Sequence, residues 1–398
     1  MELNTSDFFE NNLFRYESYS CECVKDIEHI APGMAPVITF KLQSLSTRKI
    51  RFAFAAKEGL LRLATTGSVE EKNILASLLS LPDRNIQVLF DFFKKNGFLF
   101  PISKCEYESI DAHNMFELVN RIKATVRLMS AIEEPRKNYN DILHLTLYLL
   151  LSDPISINVS SLEKPYNTCR HEFYEEIKKA PFLNSLDREQ EAFDKDTYSI
   201  IDTIYPPTFE FDINDYNDIM GGYMSSKPGA DDYRFKDVVN LYCNKPNADL
   251  SIRLITDFLF HYQNEVGIIK SYDYENGIQY YYPPDQSKFN DLMKKALINI
   301  ARLIIGEEIN KNLDGIHPQY NVSTMSPSWR VDSLLAAIYF SIFYMKPGLE
   351  LYRQCANPTC SQYFLVKSTS TRNKYCCPEC GNATAQRNYR KRKIEKQQ

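Results

Sequence analysis

The strongest constraint on folding in this chain is a set of five thiols near its end. Cys355 and Cys360 are separated by four residues, fifteen more follow, and then comes Cys376-Cys377-Pro378-Glu379-Cys380. A structural zinc ion takes four soft ligands in a tetrahedron and usually draws them from two close thiol pairs joined by a short loop. Both pairs are present. A disulfide is the competing reading, but paired thiols in a chain without a secretory leader favour metal. The second pair reads as Cys376 with Cys380 or as Cys377 with Cys380. Pro378 favours the first, because proline suits the first position of a helix and puts Cys377 at the N-cap and Cys380 in the first turn. One Zn2+ per chain is expected, held by Cys355, Cys360, Cys376 and Cys380. Cys377 is left as a spare thiol at a helix N-terminus, where reactivity is the sharp reading and a passive cap the bland one.

The spacing predicts a treble clef, made of a knuckle, a hairpin and a helix. Tyr363 to Val366 and Lys374-Tyr375 are the expected hairpin strands, with Ser368 to Asn373 as the turn.

Charge adds a second signal in the same segment. Residues 351–398 hold 10 Lys/Arg and 2 Asp/Glu, whereas the first 350 hold 37 and 49. The body is acidic and the tail basic. Such a tail attracts phosphate, and Arg372, Lys374, Arg387, Arg390, Lys391, Arg392 and Lys393 are the candidate nucleic-acid contacts. In the terminal helix, Ala385 and Tyr389 are expected on the face that rests on the knuckle, with Gln386 and Asn388 able to reach base edges. DNA is the expected partner, and phosphate attraction alone does not separate it from RNA.

Catalytic signatures are missing. Among 13 glycines there is no dinucleotide fingerprint, Walker A loop or nucleophile elbow, and no two of the six histidines stand in a zinc-protease helix. The chain therefore reads as a binding protein and not an enzyme. The first residues show no basic leader with an apolar core, so a cytoplasmic location is expected. The longest uncharged apolar stretch, Ser333 to Met345, is far short of the ~20 residues that cross a bilayer. No membrane contact is expected.

The body reads as mainly α with a minor β-hairpin. Ser68-Val69-Glu70-Glu71 has the spacing of a capping box before Ile74, and Pro82 to Lys95 forms a second helix closed by Asn96-Gly97. Further helices are expected at 114–133, 140–152, 249–265 and 286–310. Asn276-Gly277 marks one hairpin between Ile268 and Tyr282. The expected division is a helical domain over 1–182, an acidic linker or irregular insertion over 183–232, a helical region with the hairpin over 233–349, and the finger over 350–398. Self-association through the helical body is the other partner expected.

Cys380-Gly381-Asn382, opening a basic helix after Cys355-Ala356-Asn357-Pro358-Thr359-Cys360 and Arg372-Asn373-Lys374-Tyr375-Cys376, resembles the CGNR zinc-finger family. The apolar helix Leu334 to Tyr339 and the pair Tyr363-Phe364 extend the likeness. The resemblance implies zinc ligation by the same four cysteines and a DNA-binding module of the kind found in bacterial transcription regulators, preceded by a regulatory body that senses a signal. The arginine that closes the family signature is Ala383 here, and Arg387 stands four residues later. Two other readings remain, a finger that is structural or binds protein, and an enzymatic body, nuclease or defence effector, delivered to nucleic acid.

Overall fold

The computed structural model describes residues 12–28, 36–55, 58–179, 198–200, 202–205, 209–211, 221–222, 225–226, 233–244, 249–322, 325–345, 350–360, 362–367 and 373–395. They form two interleaved units, one of 1–133, 154–169 and 308–398, the other of 134–153 and 170–307.

A seven-stranded sheet organises the first unit and corrects the expectation of a mainly α body. Strands β1 (Asn12–Glu28), β2 (Val37–Ala55), β3 (Gly59–Leu63) and β4 (Val69–Glu71) follow in sequence order. Helices α1 (Ile74–Leu79) and α2 (Ile86–Asn96), strand β5 (Glu108–Asp111) and helix α3 (Ala112–Glu133) come next. The unit is completed by β6 (Ile316–Asn321), β7 (Ser326–Val331), α4 (Leu334–Phe343) and the elements of the finger. The order is β6-β7-β1-β2-β3-β4, with β5 on the far part of β2. β1 and β7 run parallel and the other pairs antiparallel.

Period-two alternation explains the sheet. Phe40 and Leu42, then Ile50, Phe52 and Phe54, fall on alternate positions of β2 and are buried. The register sets Phe14 beside Phe54, and Phe340 of α4 meets both rings edge-on at 5.1 and 5.2 Å. Because Leu334 to Ile342 are buried all round, α4 is a core helix.

The expected capping box is not one. Val69–Glu71 is a strand, Arg62 on β3 binds Glu70 and Glu71, and Asn73 caps α1 by accepting the Ala76 N–H at 3.0 Å. Ser68 and Glu71 have capping-box spacing, but Glu71 is taken by Arg62 and Lys95 and the segment pairs with β3. Helix α2 does end at Asn96-Gly97. Gly97 has φ 82°, and a Cβ there would lie 2.5 Å from Ser18 Oγ and 2.8 Å from the Tyr19 carbonyl. Only glycine lets β1 pass that close.

Deep in this unit, Arg121 of α3 and Glu308 form an ion pair in which each side chain is 1% exposed. Arg121 also donates to the Cys169 carbonyl, and Asn312 Nδ2 donates to the Glu308 carbonyl.

In the second unit, helices lie at Tyr139–Leu151, Leu250–His261 and, up to Glu307, Asp291–Lys311. The Asn276-Gly277 turn joins strands Ile269–Asp273 and Gly277–Tyr280 as the sequence predicts. Most of the acidic 183–232 stretch lies outside the described residues, but Tyr198–Ile200 pairs with Phe209–Phe211, and Asp202 between them is buried. Asp202 accepts from Ile204 N–H, Tyr205 N–H and the Tyr242 hydroxyl, and it pairs with His261 Nε2. The other imidazole nitrogen of His261 lies 3.2 Å from Glu265.

Candidate metal centre and its basic helix

The finger begins with β8 (Glu350–Gln354), which runs antiparallel to β9 (Tyr363–Lys367), and ends in α5 (Pro378–Glu395). This corrects the expected hairpin. Tyr363 to Val366 pairs with the strand before the knuckle, not with Lys374-Tyr375, so Cys355 to Cys360 forms the hairpin tip. Residues 368–372, which include Arg372, lie outside the described residues.

The hairpin is seated on the first unit's own helices. Leu351, Tyr352 and Val366 are buried. Tyr352 N–H donates to Ser130 Oγ of α3 at 3.2 Å, the Tyr352 hydroxyl to Asn73 Oδ1 at 2.6 Å, and Tyr363 N–H to Ser80 Oγ at 2.8 Å. None of these three acceptors stands out in the sequence, because each depends on a contact across more than 200 residues.

Beyond the hairpin, backbone bonds shape the knuckle. Cys355 N–H donates to the Gln362 carbonyl at 2.9 Å, Ala356 N–H to the Lys374 carbonyl at 2.8 Å, and Cys360 N–H to the Asn357 carbonyl at 2.8 Å. The Sγ atoms of Cys355, Cys360, Cys376 and Cys380 all lie within 4.8 Å of one another. Cys376 Sγ is 3.7 Å from both Cys360 Sγ and Cys380 Sγ. A tetrahedral Zn2+ with Zn–S bonds of about 2.3 Å has S–S edges of about 3.8 Å, so the four thiols fit the ion. Cys377 falls outside this set and caps the helix that Pro378 opens, with its carbonyl accepting from Gly381 N–H at 3.4 Å.

Electrostatics favours a cation at this point. Burial raises the Cys355 thiol, but the N–H groups of Cys376 and Asn357 outweigh it and bring the pKa down to about 7. Cys376 is driven upward, by burial first and then by the neighbouring thiols. Four thiolates this close repel, and a divalent ion supplies the compensating charge.

Helix α5 meets the knuckle along Cys380, Thr384 and Arg387, one helical stripe. Thr384 is 8% exposed and its hydroxyl donates to the Cys380 carbonyl. Gly381 lets the Tyr375 ring approach, since a Cβ there would stand 3.3 Å from the ring. The expected packing face is thus wrong by a fraction of a turn. Ala385 is exposed and Tyr389 is 69% exposed.

Arg387 turns back onto the knuckle, donating to Asn357 Oδ1 at 3.3 Å and Thr359 Oγ1 at 3.4 Å. Arg390, Lys391 and Arg392 are exposed and have no ion-pair partner among the described residues, and Lys374 is exposed as well. Lys393 lies within α5, and its side chain is outside the description. No described helix is long and apolar enough to cross a membrane.

No curated protein and no solved structure matches this chain. Residues 352–393 match the family model of the CGNR zinc finger, and with its four thiols gathered to hold one Zn2+, the C-terminal module of this chain is a CGNR zinc finger.

Proposed function

We propose that this chain is a nucleic-acid-binding protein, acting as a DNA-binding transcription regulator, in which α5 lies against the phosphate backbone. The supporting observation is the outer part of α5, where every residue from Ala385 to Arg392 is exposed. Apart from Arg387, which reaches back to the knuckle, a segment this exposed gains little from burial, and clustered like charges destabilise it further. A polyanion reverses that sign. Arg390, Lys391 and Arg392 supply the charge, and the exposed Tyr389 ring adds a surface able to stack or pack against a base.

For a regulator the body needs a place to take its signal. A cleft of about 530 Å3 beside the finger hairpin, lined in part by Glu71, Ser77, Ser80, Phe92, Lys95 and Tyr363, supports that role. The enzymatic alternative would draw on Asp202, His261, Glu265 and Asp257. We assign them a structural role, because both His261 nitrogens face carboxylates, Asp202 is saturated by donors, and Asp257 accepts from the Thr203 N–H and hydroxyl.

The test uses the full chain, because the finger's hairpin is seated on the rest of its unit. Fluorescence anisotropy with duplex DNA and with RNA, across a salt series, should give log K falling by about 0.9 per phosphate contact on duplex DNA. Replacing Arg390, Lys391 and Arg392 with Ala should flatten the slope by about 2.7. No binding to either polymer, or a slope unchanged in the triple variant, would remove the proposal, and a preference for RNA would replace DNA as the partner.

A further inference from the structure

We infer that Arg387 is a positioning residue that fixes α5 on the zinc knuckle, and not one of the phosphate contacts. Asn357 is 5% exposed, and its side-chain oxygen gathers three kinds of donor: Thr359 N–H at 3.3 Å, the Thr359 hydroxyl at 3.1 Å and Arg387 Nη1 at 3.3 Å. Thr359 Oγ1, having given its proton to Asn357, accepts from Arg387 Nη2 at 3.4 Å. The guanidinium therefore spans two acceptors of one loop, a fork that lysine cannot match. Proline between them, at position 358, fixes the turn that presents both.

This arrangement gives a reason for the long spacing of the first thiol pair. Four residues between Cys355 and Cys360 make room for an Asn-Pro-Thr turn that accepts an arginine, in addition to the bend that brings the two sulfurs together. It also bears on the departure at Ala383, which is exposed. In this chain an arginine from the following turn, Arg387, ties the helix to the metal loop. Among the described candidates, Lys374, Arg390, Lys391 and Arg392 are then left for nucleic acid, with the exposed Tyr389 ring beside them.

Two readouts test the inference, and only the second rests on the nucleic-acid reading. The first is the rate at which the full-length zinc protein loses its metal to a chromophoric chelator. Arg387→Ala should speed release about tenfold, the worth of a hydrogen bond to a charged group, and Thr359→Ala, a milder change on the other side of the clamp, should speed it by less. Arg387→Lys should fall between wild type and Arg387→Ala. Release unchanged in Arg387→Ala would overturn the inference.

The second readout is the salt slope on duplex DNA. Arg387→Ala should weaken binding while leaving the slope as in wild type, whereas Arg390→Ala should reduce it by about 0.9. A slope reduced by Arg387→Ala would make Arg387 a phosphate contact and overturn the inference whatever the release rate. If the wild-type protein binds no nucleic acid, the proposed function fails and zinc release alone decides the role of Arg387.

Discussion

Removing Cys376 should separate what zinc holds from what packing holds. Cys376 Sγ is the thiol 3.7 Å from both Cys360 and Cys380, and its N–H donates to Cys355 Sγ at 3.5 Å, so Cys376→Ser strikes the centre of the site. Structural zinc in such fingers is worth on the order of 10 to 16 kcal/mol, or about 3 to 4 kcal/mol per ligand if shared equally. That share corresponds to zinc affinity weaker by about 150- to 850-fold. The hairpin has a separate anchorage in buried Leu351, Tyr352 and Val366. At about 1.5 to 3 kcal/mol each, these three side chains contribute about 4.5 to 9 kcal/mol that does not pass through the metal.

Amide hydrogen exchange on the chelated Cys376→Ser protein should therefore divide the finger. Protection at Tyr352 and Val366 should persist, while Ala356, Cys360 and Gly381, whose bonds shape the knuckle and the start of α5, should lose it. If Tyr352 and Val366 open together with Gly381, the hairpin depends on zinc and the reasoning fails.

Three further outcomes can be checked by denaturant or thermal unfolding. Burial of Asp257 raises its pKa from 3.8 to about 6 against the opposing bonds from Thr203. Its stabilising contribution is complete below the unfolded value and is lost as pH rises through about 6, a change of about 3 kcal/mol; Asp257→Asn should lack that decline, and a pH-independent gap between the two proteins would refute it. Gly97→Ala should cost about 2 to 5 kcal/mol, combining left-handed backbone strain with the clash against β1; a loss below 1 kcal/mol would contradict the close approach. Arg121→Met should cost about 3 to 5 kcal/mol by leaving the Glu308 charge buried, and Arg121→Met with Glu308→Leu should recover much of it.

The metal site was legible because its chemistry is local. Thiol spacing, Pro378 and the basic run all lie within one short segment, and four ligands can be chosen from it without knowing the rest of the fold. The strand that completes the hairpin was not, since Glu350-Leu351-Tyr352-Arg353-Gln354 precedes the first cysteine and carries little turn chemistry to mark it. The large sheet is present in the sequence as alternation at Phe40, Leu42, Ile50, Phe52 and Phe54, but helical spacing elsewhere in the first 182 residues is the stronger pattern. What no local pattern could show is the interleaving of two units, the pairing of Asp202 with His261, and the capture of Arg387 by a loop thirty residues earlier. Each is a contact that exists only after the chain has closed on itself.

The seat of α5 also has a mechanical consequence. From Arg387 to Glu395 the helix extends about 12 Å beyond its last described contact with the knuckle. A tilt of about 10° at the knuckle would move its far end by about 2 Å, enough to break a hydrogen bond there, so the helix works as a lever. Small motions where Arg387 meets Asn357 would thus be read at full scale by whatever the tip touches.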